Sequence, residues 1–510
     1  MPEYLHPGVY IEEIPRGARP IEGVPTSTAA MLGEAERGPT TPRLVTSYKN
    51  YQLSFGDVFD PNKYLPSAVN GFFENGGTRA LICRLAGNGS VNASAEFSPF
   101  IVRAAGPGAW GNRVKIKISN GTTKKPDGTS VGFRVQLAYW STLPAVDFDP
   151  FADQSSKPRP QHLEDFDDLE TDENSANYYG KRMESSALVV LERHAGTPSS
   201  ARLVNGTEML RGGADGETPL GVDDFVGRRN GGRVAEQGLA ALELDAYREV
   251  ALLYAPAVAS KDILEQIIAH CEKRRFRFAV IDSDQGVSNP SLLNPRDTLA
   301  DSSYAAFYYP WLMTPDPRTG AKTLTPPGGH VLGIYARTDT ERGVFKAPAN
   351  EIVRGAVAVE FDISERAQES LNPKGVNAIR SFPGGGIRMW GSRTLTSDGL
   401  WKYVSVRRFF IFLERSIYEG TRWVVFEPND ERLWPRVTDT IRQFLHAQWR
   451  LGALLGRTEQ EAFFVRCDRT TMTQDDILNG RLTCEIGVAP VRPAEFVIIR
   501  IFQHTAESQR

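Results

Sequence analysis

Residues 249–281 read EVALLYAPAVASKDILEQIIAHCEKRRFRFAVI, and this stretch decides the fold class. The run 250–254 is apolar and predicts a buried strand, and a second such run lies at 276–281. Between them, Ser260 can cap a helix, and residues 263–271 carry apolar side chains at helical spacing. Two strands joined by a helix of this length predict a right-handed parallel crossover, and hence an α/β sheet.

Segments on either side extend this sheet. Residues 68–75 have helical spacing and end at a pair of glycines, which is typical of a helix C-terminus. Residues 80–85 then form an apolar run that predicts another buried strand, and residues 304–311 can supply a further one. We therefore expect a discontinuous α/β domain that covers residues 26–120 and 249–372.

The intervening region has a different composition. Residues 121–248 are dominated by Gly, Asp, Glu, Asn and Ser, and they contain only short alternating runs such as 133–137. Alternation of apolar and polar residues is typical of a strand with one face in solvent. We expect a mostly β domain that is inserted into the α/β domain and faces outward.

The last third of the chain predicts an α+β domain over residues 373–490. We expect a helix at 403–418, a strand at 423–426, and a long helix that begins at residue 429 or 430 and runs to 455, ended by Gly456. One apolar face of that long helix is formed by Val437, Ile441, Phe444, Leu445 and Leu451.

Each end of the chain carries an isolated strand signal. Residues 9–14 form a short run bracketed by prolines, and residues 496–502 read FVIIRIF, apolar on nearly both faces. A strand without neighbours must pair with something, so we expect extended arms over 1–25 and 491–510 that pair with neighbouring subunits. The residues predicted for this strand exchange are Val9, Tyr10, Ile11, Ile14, Phe496, Ile498, Ile499 and Ile501.

The composition argues against several classes of function. The 510 residues carry 59 basic and 62 acidic side chains, a net charge of −3, which argues against a broad nucleic-acid-binding face. Four scattered cysteines without a CxxC pair indicate thiols of a reducing cytoplasm, not a disulfide framework or a zinc site. Without an export signal or an apolar run of about 20 residues, we expect no membrane insertion, and exit from a cell by lysis or within a particle.

Two short motifs resemble enzyme signatures but occur in the wrong context. Residues 106–111, GPGAWG, match GxGxxG, yet an alternating strand pattern follows instead of the helix that would hold a dinucleotide. Residues 128–132, GTSVG, match GxSxG around Ser130, but they follow a turn and lead into a strand, which favours a hairpin over a nucleophile elbow. The seven histidines are scattered singly, so we predict no catalytic, cofactor or metal site.

Nine stretches, in order along the chain, resemble the contractile tail sheath family of phages and phage-tail-like particles. Only the inserted region lies outside this resemblance. The stretches are 4–13 (YLHPGVYIEE), 23–29 (GVPTSTA), 36–39 (ERGP), 68–77 (AVNGFFENGG), 107–112 (PGAWGN), 390–395 (WGSRTL), 403–408 (YVSVRR), 426–429 (FEPN) and 493–496 (PAEF).

The resemblance implies a structural sheath subunit that stacks as hexameric rings around an inner tube and contracts to drive the tube through a target envelope. It implies a central domain of subtilisin-like architecture, without a protease triad, and terminal arms that link subunits. The implied partners are further copies of the chain, an inner tube protein, a baseplate and tail-terminator or cap proteins. Assembly would occur in the bacterial cytoplasm, before the subunit becomes part of a phage tail or a released or anchored particle. The single long chain favours the phage-like or extracellular type over the two-protein sheath of type VI secretion.

The long helix of the last third is a candidate for tube attachment through cationic side chains that lie off its apolar face. Those side chains are Arg436, Arg442 and Arg450. An equally good interpretation is a merely solvated face, since charged residues off a core stripe are usual. Two other functions stay open at this point: a non-contractile shell or adhesin that assembles through the arms, and a hydrolase that uses Ser130.

Overall fold

The computed structural model describes residues 20–145, 148–152, 159–198, 204–229, 232–233, 237–316, 318–496 and 498. The chain divides into two compact units. One is Pro25–Arg408, and the other combines Met1–Val24 with Phe409–Arg510. The division falls inside one helix, between Arg408 and Phe409, and each unit is treated separately below.

The secondary structure is numbered here in chain order. The strands are β1 (Ala29–Gly33), β2 (Arg43–Val45), β3 (Ala80–Arg84), β4 (Ser94–Phe97), β5 (Phe100–Ala104), β6 (Val114–Asn120), β7 (Phe133–Tyr139), β8 (His162–Leu169), β9 (Val189–Arg193), β10 (Gly206–Met209), β11 (Arg228–Arg229), β12 (Gly232–Arg233), β13 (Leu252–Tyr254), β14 (Phe278–Asp282), β15 (Ala305–Tyr309), β16 (Leu312–Pro315), β17 (Lys322–Thr325), β18 (Glu351–Ile352), β19 (Ala358–Val359), β20 (Val376–Phe382), β21 (Gly386–Met389), β22 (Phe463–Arg466) and β23 (Glu485–Val488). The helices are α1 (Tyr48–Phe55), α2 (Leu65–Glu74), α3 (Tyr179–Arg182), α4 (Val222–Val226), α5 (Gly238–Ala241), α6 (Lys261–Arg274), α7 (Pro295–Thr298), α8 (Gly328–Arg342), α9 (Glu365–Leu371), α10 (Val404–Gly420), α11 (Leu433–Arg450), α12 (Glu459–Ala462) and α13 (Gln474–Leu478).

A nine-stranded sheet forms the centre of the Pro25–Arg408 unit, in the order β18-β21-β20-β15-β14-β13-β1-β3-β2. The strands from β20 to β3 are all parallel, and antiparallel strands lie on both sides of them. The predicted crossover is confirmed, because β13 and β14 pair in parallel and are joined by α6, whose N-cap is Ser260. The strands predicted at 80–85 and 304–311 are β3 and β15.

Helices cover both faces of this sheet. On one face, Leu253 of β13 and Ile281 of β14 pack in a buried cluster with Ile267 of α6. Neighbouring residues of a strand point to opposite faces, so Tyr254 points the other way, toward the start of α8 at Gly328. Helices α2 and α8 pack together on that second face. Cover on both faces explains why the parallel strands read as continuous apolar runs.

The main sheet extends further along the chain than the sequence predicts. Residues after 372 were expected in a separate C-terminal domain, but β20 pairs in parallel with β15 and therefore belongs to the main sheet. Strands β15 and β20 are distant in the chain, so their pairing leaves no local signal in the sequence. In the structure, Asn372–Lys374 is a short 3-10 turn that connects α9 directly to β20.

A second buried cluster in the same unit is mostly β, as the composition of the middle region predicts. It lies between a three-stranded sheet, β4-β5-β9, and a four-stranded sheet, β10-β6-β7-β8. This cluster begins at Ala93, before the expected boundary at residue 121, whereas Leu239 of α5 packs in the core of the main sheet. The alternating pattern of residues 94–120 fits either sheet, so the sequence alone does not locate this boundary.

The unit that contains Phe409–Arg510 is built around α11 and the two-stranded sheet β22-β23. The helix starts at Leu433 with Arg432 as its N-cap, so neither Asn429 nor Asp430 occupies the predicted capping position. The carboxylate of Asp430 instead accepts hydrogen bonds from the amides of Arg432 and Leu433, both at 3.0 Å. The helix ends at Arg450 and not before Gly456, because Gly452 adopts a φ of +82°, a conformation that favours glycine. Leu451, which was predicted on the apolar face, is therefore exposed.

The strand predicted at residues 423–426 is wrong. Arg422–Val424 forms a short 3-10 turn, and Phe426 has a φ of +72° with a fully exposed side chain. The apolar run has strand propensity, but a strand needs a ladder partner. Here the backbone N–H groups of Val424 and Val425 donate to carbonyls of the same turn.

Candidate assembly site

The β22-β23 sheet is the only sheet formed by the described residues of the Phe409–Arg510 unit. Its strands pair antiparallel from Phe463 opposite Val488 to Arg466 opposite Glu485, and α11 and α12 pack against β22. Phe464 and Ile486 remain 46% and 37% exposed. Among the residues described, the sheet has no third strand, but an antiparallel bridge joins Leu454 to Pro490 just beyond β23. A sheet of two strands is marginally stable alone, so the parts of its outer edges away from this bridge offer backbone groups for further strands.

The predicted arm residues lie partly outside the described chain. Phe496 and Ile498 are described; they lie in no strand and are 73% and 79% exposed. The single chain thus leaves two large apolar side chains of the predicted terminal strand in solvent. The remaining predicted residues, Val9, Tyr10, Ile11, Ile14, Ile499 and Ile501, lie outside the described residues.

The predicted tube-binding arginines all lie on the exposed side of α11. Arg436 is 3.7 Å from a carboxylate oxygen of Glu427, and its guanidinium lies 4.8 Å above the ring of Trp423. Arg442 donates to Glu459, and this hydrogen bond raises the pKa of Arg442 and lowers that of the carboxyl. Arg450 is exposed at the end of the helix. Two of the three charges are therefore held by local carboxylates, a detail that helical spacing did not reveal.

Ser130 does not lie in a nucleophile elbow. An antiparallel bridge joins Lys124 to Ser130, and β7 follows directly instead of a helix. The Ser130 hydroxyl accepts a hydrogen bond from Lys124 Nζ at 2.7 Å. The predicted hairpin is confirmed, and the strand–turn–helix geometry that activates a serine is not formed here.

The glycine-rich stretch at 106–111 is a turn, as predicted. Gly108 has a φ of +133°, and Ala109–Arg113 forms a single 3-10 turn that leads into β6. The amide of Ala109 donates to the carboxylate of Asp215 at 2.8 Å, so an acidic side chain of the protein takes the donor that a phosphate would use.

Buried titratable groups serve packing in this fold. Burial raises the pKa of Asp282 to about 6, although its carboxylate accepts hydrogen bonds from Tyr254, at 2.6 Å, and from the Gly328 amide, at 2.8 Å. Burial also lowers the pKa of His330 to about 4 and that of His270 to about 3. Asp282 ends a central parallel strand, a common place for catalytic groups, but its oxygens fasten the start of α8.

Sequence reasoning missed a buried ion pair between Arg408, at one end of the Pro25–Arg408 unit, and Asp339 of α8. The guanidinium of Arg408 contacts both carboxylate oxygens of Asp339, and it donates to the backbone carbonyl of Thr26 at 3.0 Å. Arg408 and Asp339 are 3% and 6% exposed. Arg408 and Thr26 both lie in stretches that carry the family resemblance, which was the available signal.

The described residues contain no group of three or more His, Cys, Asp or Glu side chains placed to hold a metal ion. No helix in the described ranges combines the length and apolar character needed to cross a membrane.

Family comparisons identify most of the second half of the chain. Residues 230–395 match the family described as "Phage tail sheath protein central domain", and residues 396–504 match the "Phage tail sheath C-terminal domain". Together these two matches cover just over half of the chain. They contain β13 to β15, the long helix α11 and the β22-β23 sheet.

Curated relatives give the same result at low identity. A prophage protein of Pseudomonas aeruginosa, predicted to be a major tail sheath protein, is 28% identical over 187 residues, which is 35% of this chain and 46% of the relative. The tail sheath protein of Burkholderia phage BcepMu is 25% identical over 220 residues, 40% of this chain and 46% of its own. The chain thus spans about half the length of these relatives.

Solved structures show the same fold over nearly the whole chain. A contracted PVC sheath complex of an extracellular contractile injection system has a TM-score of 0.59 at 22% identity, covering 99% of both chains. The contracted helical sheath of the anti-feeding prophage has a TM-score of 0.58 at 24% identity, covering 98% of this chain and 100% of the other. With the two family matches, the fold leads to one conclusion: this chain belongs to the contractile tail sheath family, as a structural sheath protein of a phage tail or a phage-tail-like injection system.

Proposed function

We propose that this chain stacks as hexameric rings around an inner tube and that its contraction drives the tube through a target envelope. The observation that carries the proposal is the β22-β23 sheet, which has two strands and large apolar side chains left exposed. A single chain leaves this sheet with two strands, whereas neighbouring chains in an assembly can add further strands to it. The family membership and the contracted-state structural neighbours support the same mechanism.

In this proposal, the terminal arms of neighbouring subunits add strands to β22-β23. Backbone hydrogen bonds along a free edge supply affinity without requiring a specific sequence, and the alternating side chains supply the specificity. The exposed Phe496 and Ile498 would gain cover in the completed sheet. Each subunit both gives and receives strands, so the linkage continues from copy to copy and builds a lattice.

The proposed partners follow from that lattice. They are further copies of the chain, the inner tube, a baseplate and a cap or terminator protein, and the tube would contact the exposed arginines of α11. Exposed ion pairs contribute only about 0–1 kcal/mol each, so such a contact can be released during contraction. The proposal places assembly in the bacterial cytoplasm, assigns no catalytic activity, and treats the parallel sheet as subtilisin-like in architecture alone.

The acceptor sheet is tested by Ile486→Asp, with Val190→Asp as its matched control. Both side chains are exposed apolar residues of short strands, but Val190 lies on β9, outside the proposed acceptor sheet. Ile486→Asp should fold normally and fail to form sleeves when mixed with the tube protein, as seen by electron microscopy. Val190→Asp should form them.

The arms are tested by deleting residues 1–15 and, separately, by Ile499→Pro. Proline removes one ladder hydrogen bond from a paired strand. Both variants should give folded subunits that build no long sheath. Full-length contractile sheaths from either variant would show that strand exchange does not join the subunits. Sleeves that form without the tube protein and never shorten would favour the shell or adhesin instead.

A further inference from the structure

Cys467 and Cys484 face each other just beyond the end of the β22-β23 ladder. The register places Arg466 opposite Glu485, and one further step along both strands places Cys467 opposite Cys484. Both are free thiols, and each lies close enough to the other to shift its pKa. Two cysteines that are 17 positions apart in the chain are therefore direct neighbours in space.

The ladder geometry suits a covalent bond between them. The amide of Ala489 donates to the carbonyl of Ala462, and alternation from that pair makes Cys467 and Cys484 a non-hydrogen-bonded pair. In such pairs the Cα atoms lie about 4.5 Å apart and the side chains lie close together. This separation falls within the usual range for disulfides, about 4.4–6.8 Å.

We propose that Cys467 and Cys484 form a redox modification site, a dithiol that a small-molecule disulfide such as oxidised glutathione converts to an intramolecular disulfide. The Cys484 thiolate attacks one sulfur of the small disulfide and expels the first small thiolate, which forms a mixed disulfide. The Cys467 thiolate then attacks the Cys484 sulfur and expels the second. The two cysteines are oxidised, each giving up its proton to solvent, and the small disulfide is reduced to two thiols.

Accessibility decides the order of these steps. Cys467 is buried, whereas Cys484 is only half-buried and can meet a small molecule first. The other two cysteines, Cys83 and Cys271, are completely buried in the core of the main sheet and are expected to remain thiols. The site is thus selective within the chain.

Burial predicts slow oxidation at neutral pH. It raises the pKa of both thiols, that of Cys484 to about 12 with further contributions from Cys467 and then Glu485, and Asp468 also raises the pKa of Cys467. Only the thiolate reacts, so the rate should rise about tenfold from pH 7 to pH 8. Reduced thiols during assembly and gradual oxidation in an oxidising medium both follow from this chemistry.

The disulfide would close the loop of residues 468–483, which contains α13, and would tie β22 to β23. The inference rests on the ladder geometry and holds whether or not the sheet accepts arms from neighbours.

The test uses the purified full chain and oxidised glutathione at about pH 8, where thiolate exchange is faster. After the reaction is stopped by alkylation, peptide mass mapping should find Cys467 linked to Cys484, with Cys83 and Cys271 alkylated once the chain is unfolded. Cys467→Ser should instead retain a glutathione mixed disulfide on Cys484. Cys484→Ser should lose nearly all reaction.

Three outcomes would overturn the inference. They are a glutathione mixed disulfide that persists on Cys484 in the unsubstituted chain, a link between Cys484 residues of two chains, and no linkage at all. A rate that does not change between pH 7 and pH 8 would refute the predicted thiolate step.

Discussion

The main sheet and the β22-β23 sheet differ in where their strands find neighbours. In the main sheet, the parallel strands lie between antiparallel strands of the same unit, and Leu253 and Tyr254 are completely buried. In β22-β23, two strands stand together and Phe464 is almost half exposed. The first sheet is completed within its own unit. The second is completed, in our proposal, only by other chains.

This difference separates stability from assembly. Side chains in the main sheet should affect the free energy of unfolding, since removing buried groups leaves cavities or unpaired charges. Exposed side chains of the Phe409–Arg510 unit should affect sheath formation, with little effect on the unfolding of the single subunit.

Asp339→Ala should lower the free energy of unfolding of the Pro25–Arg408 unit by about 3–5 kcal/mol. The variant leaves the buried guanidinium of Arg408 without its carboxylate, and an unpaired buried charge is strongly destabilising. Urea unfolding of the purified subunit measures the change.

The matched control for Asp339→Ala is Glu249→Ala. Glu249 pairs with Arg79, and both of these side chains are 47% exposed. Its removal should cost about 0–1 kcal/mol. Equal decreases in the free energy of unfolding for the two variants would contradict the claim that the buried ion pair stabilises the Pro25–Arg408 unit.

Acidification from pH 7 to pH 5 should destabilise the Pro25–Arg408 unit through His330, by about 2 kcal/mol. Burial lowers the pKa of this histidine to about 4, so the folded imidazole stays neutral where the unfolded one, with a pKa near 6.5, takes up a proton. The contribution of His330 to the free energy of unfolding is therefore complete above about pH 6.5 and is lost as the pH falls toward 4.

His330→Gln isolates this effect, because glutamine does not titrate. Buried His270 would act in the same direction and Asp282 in the opposite one, but both are present in the two proteins. The difference in unfolding free energy between the chain and the variant should shrink by about 2 kcal/mol on acidification. A difference that is constant with pH would show that His330 does not become protonated on unfolding in this range.

Arg436→Glu combined with Arg442→Glu should change the unfolding free energy least, because both side chains are exposed. Electron microscopy should nevertheless show sheaths that form poorly on the tube or contract early. The control is Arg481→Glu, an exposed arginine of the same unit that pairs with Asp475 and Asp476. Normal extended particles from the double variant would place tube attachment elsewhere.

The central strands of the main sheet could be predicted from the sequence because their signals are local. Ser260 caps α6, and the apolar runs on either side of it are strands that pair with each other through one crossover. The domain boundaries could not be predicted as well. The turn at Asn372–Lys374 returns the chain to the same sheet, so the predicted domain end at residue 372 is not one.

The Phe409–Arg510 unit was less predictable. The run 423–426 has the propensity of a strand, but its amides bond within a local turn. Other features of this unit depend on contacts that are distant in sequence. The neighbouring positions of Cys467 and Cys484 follow from a register set across a long loop, which cysteine spacing cannot reveal. The ion pairs of Arg436 and Arg442 likewise use carboxylates on other segments.

Both ends of the chain belong to the same unit, and the backbone passes from that unit to the other after Val24 and again after Arg408. On the described side of the N-terminal arm, the amide of Val24 donates to the hydroxyl of Ser416 at 3.2 Å. Ser416 lies in α10, the helix that carries the chain back from the Pro25–Arg408 unit. The departing and returning segments of the chain are therefore fastened to each other inside the smaller unit, so a pull on Val24 also acts on α10.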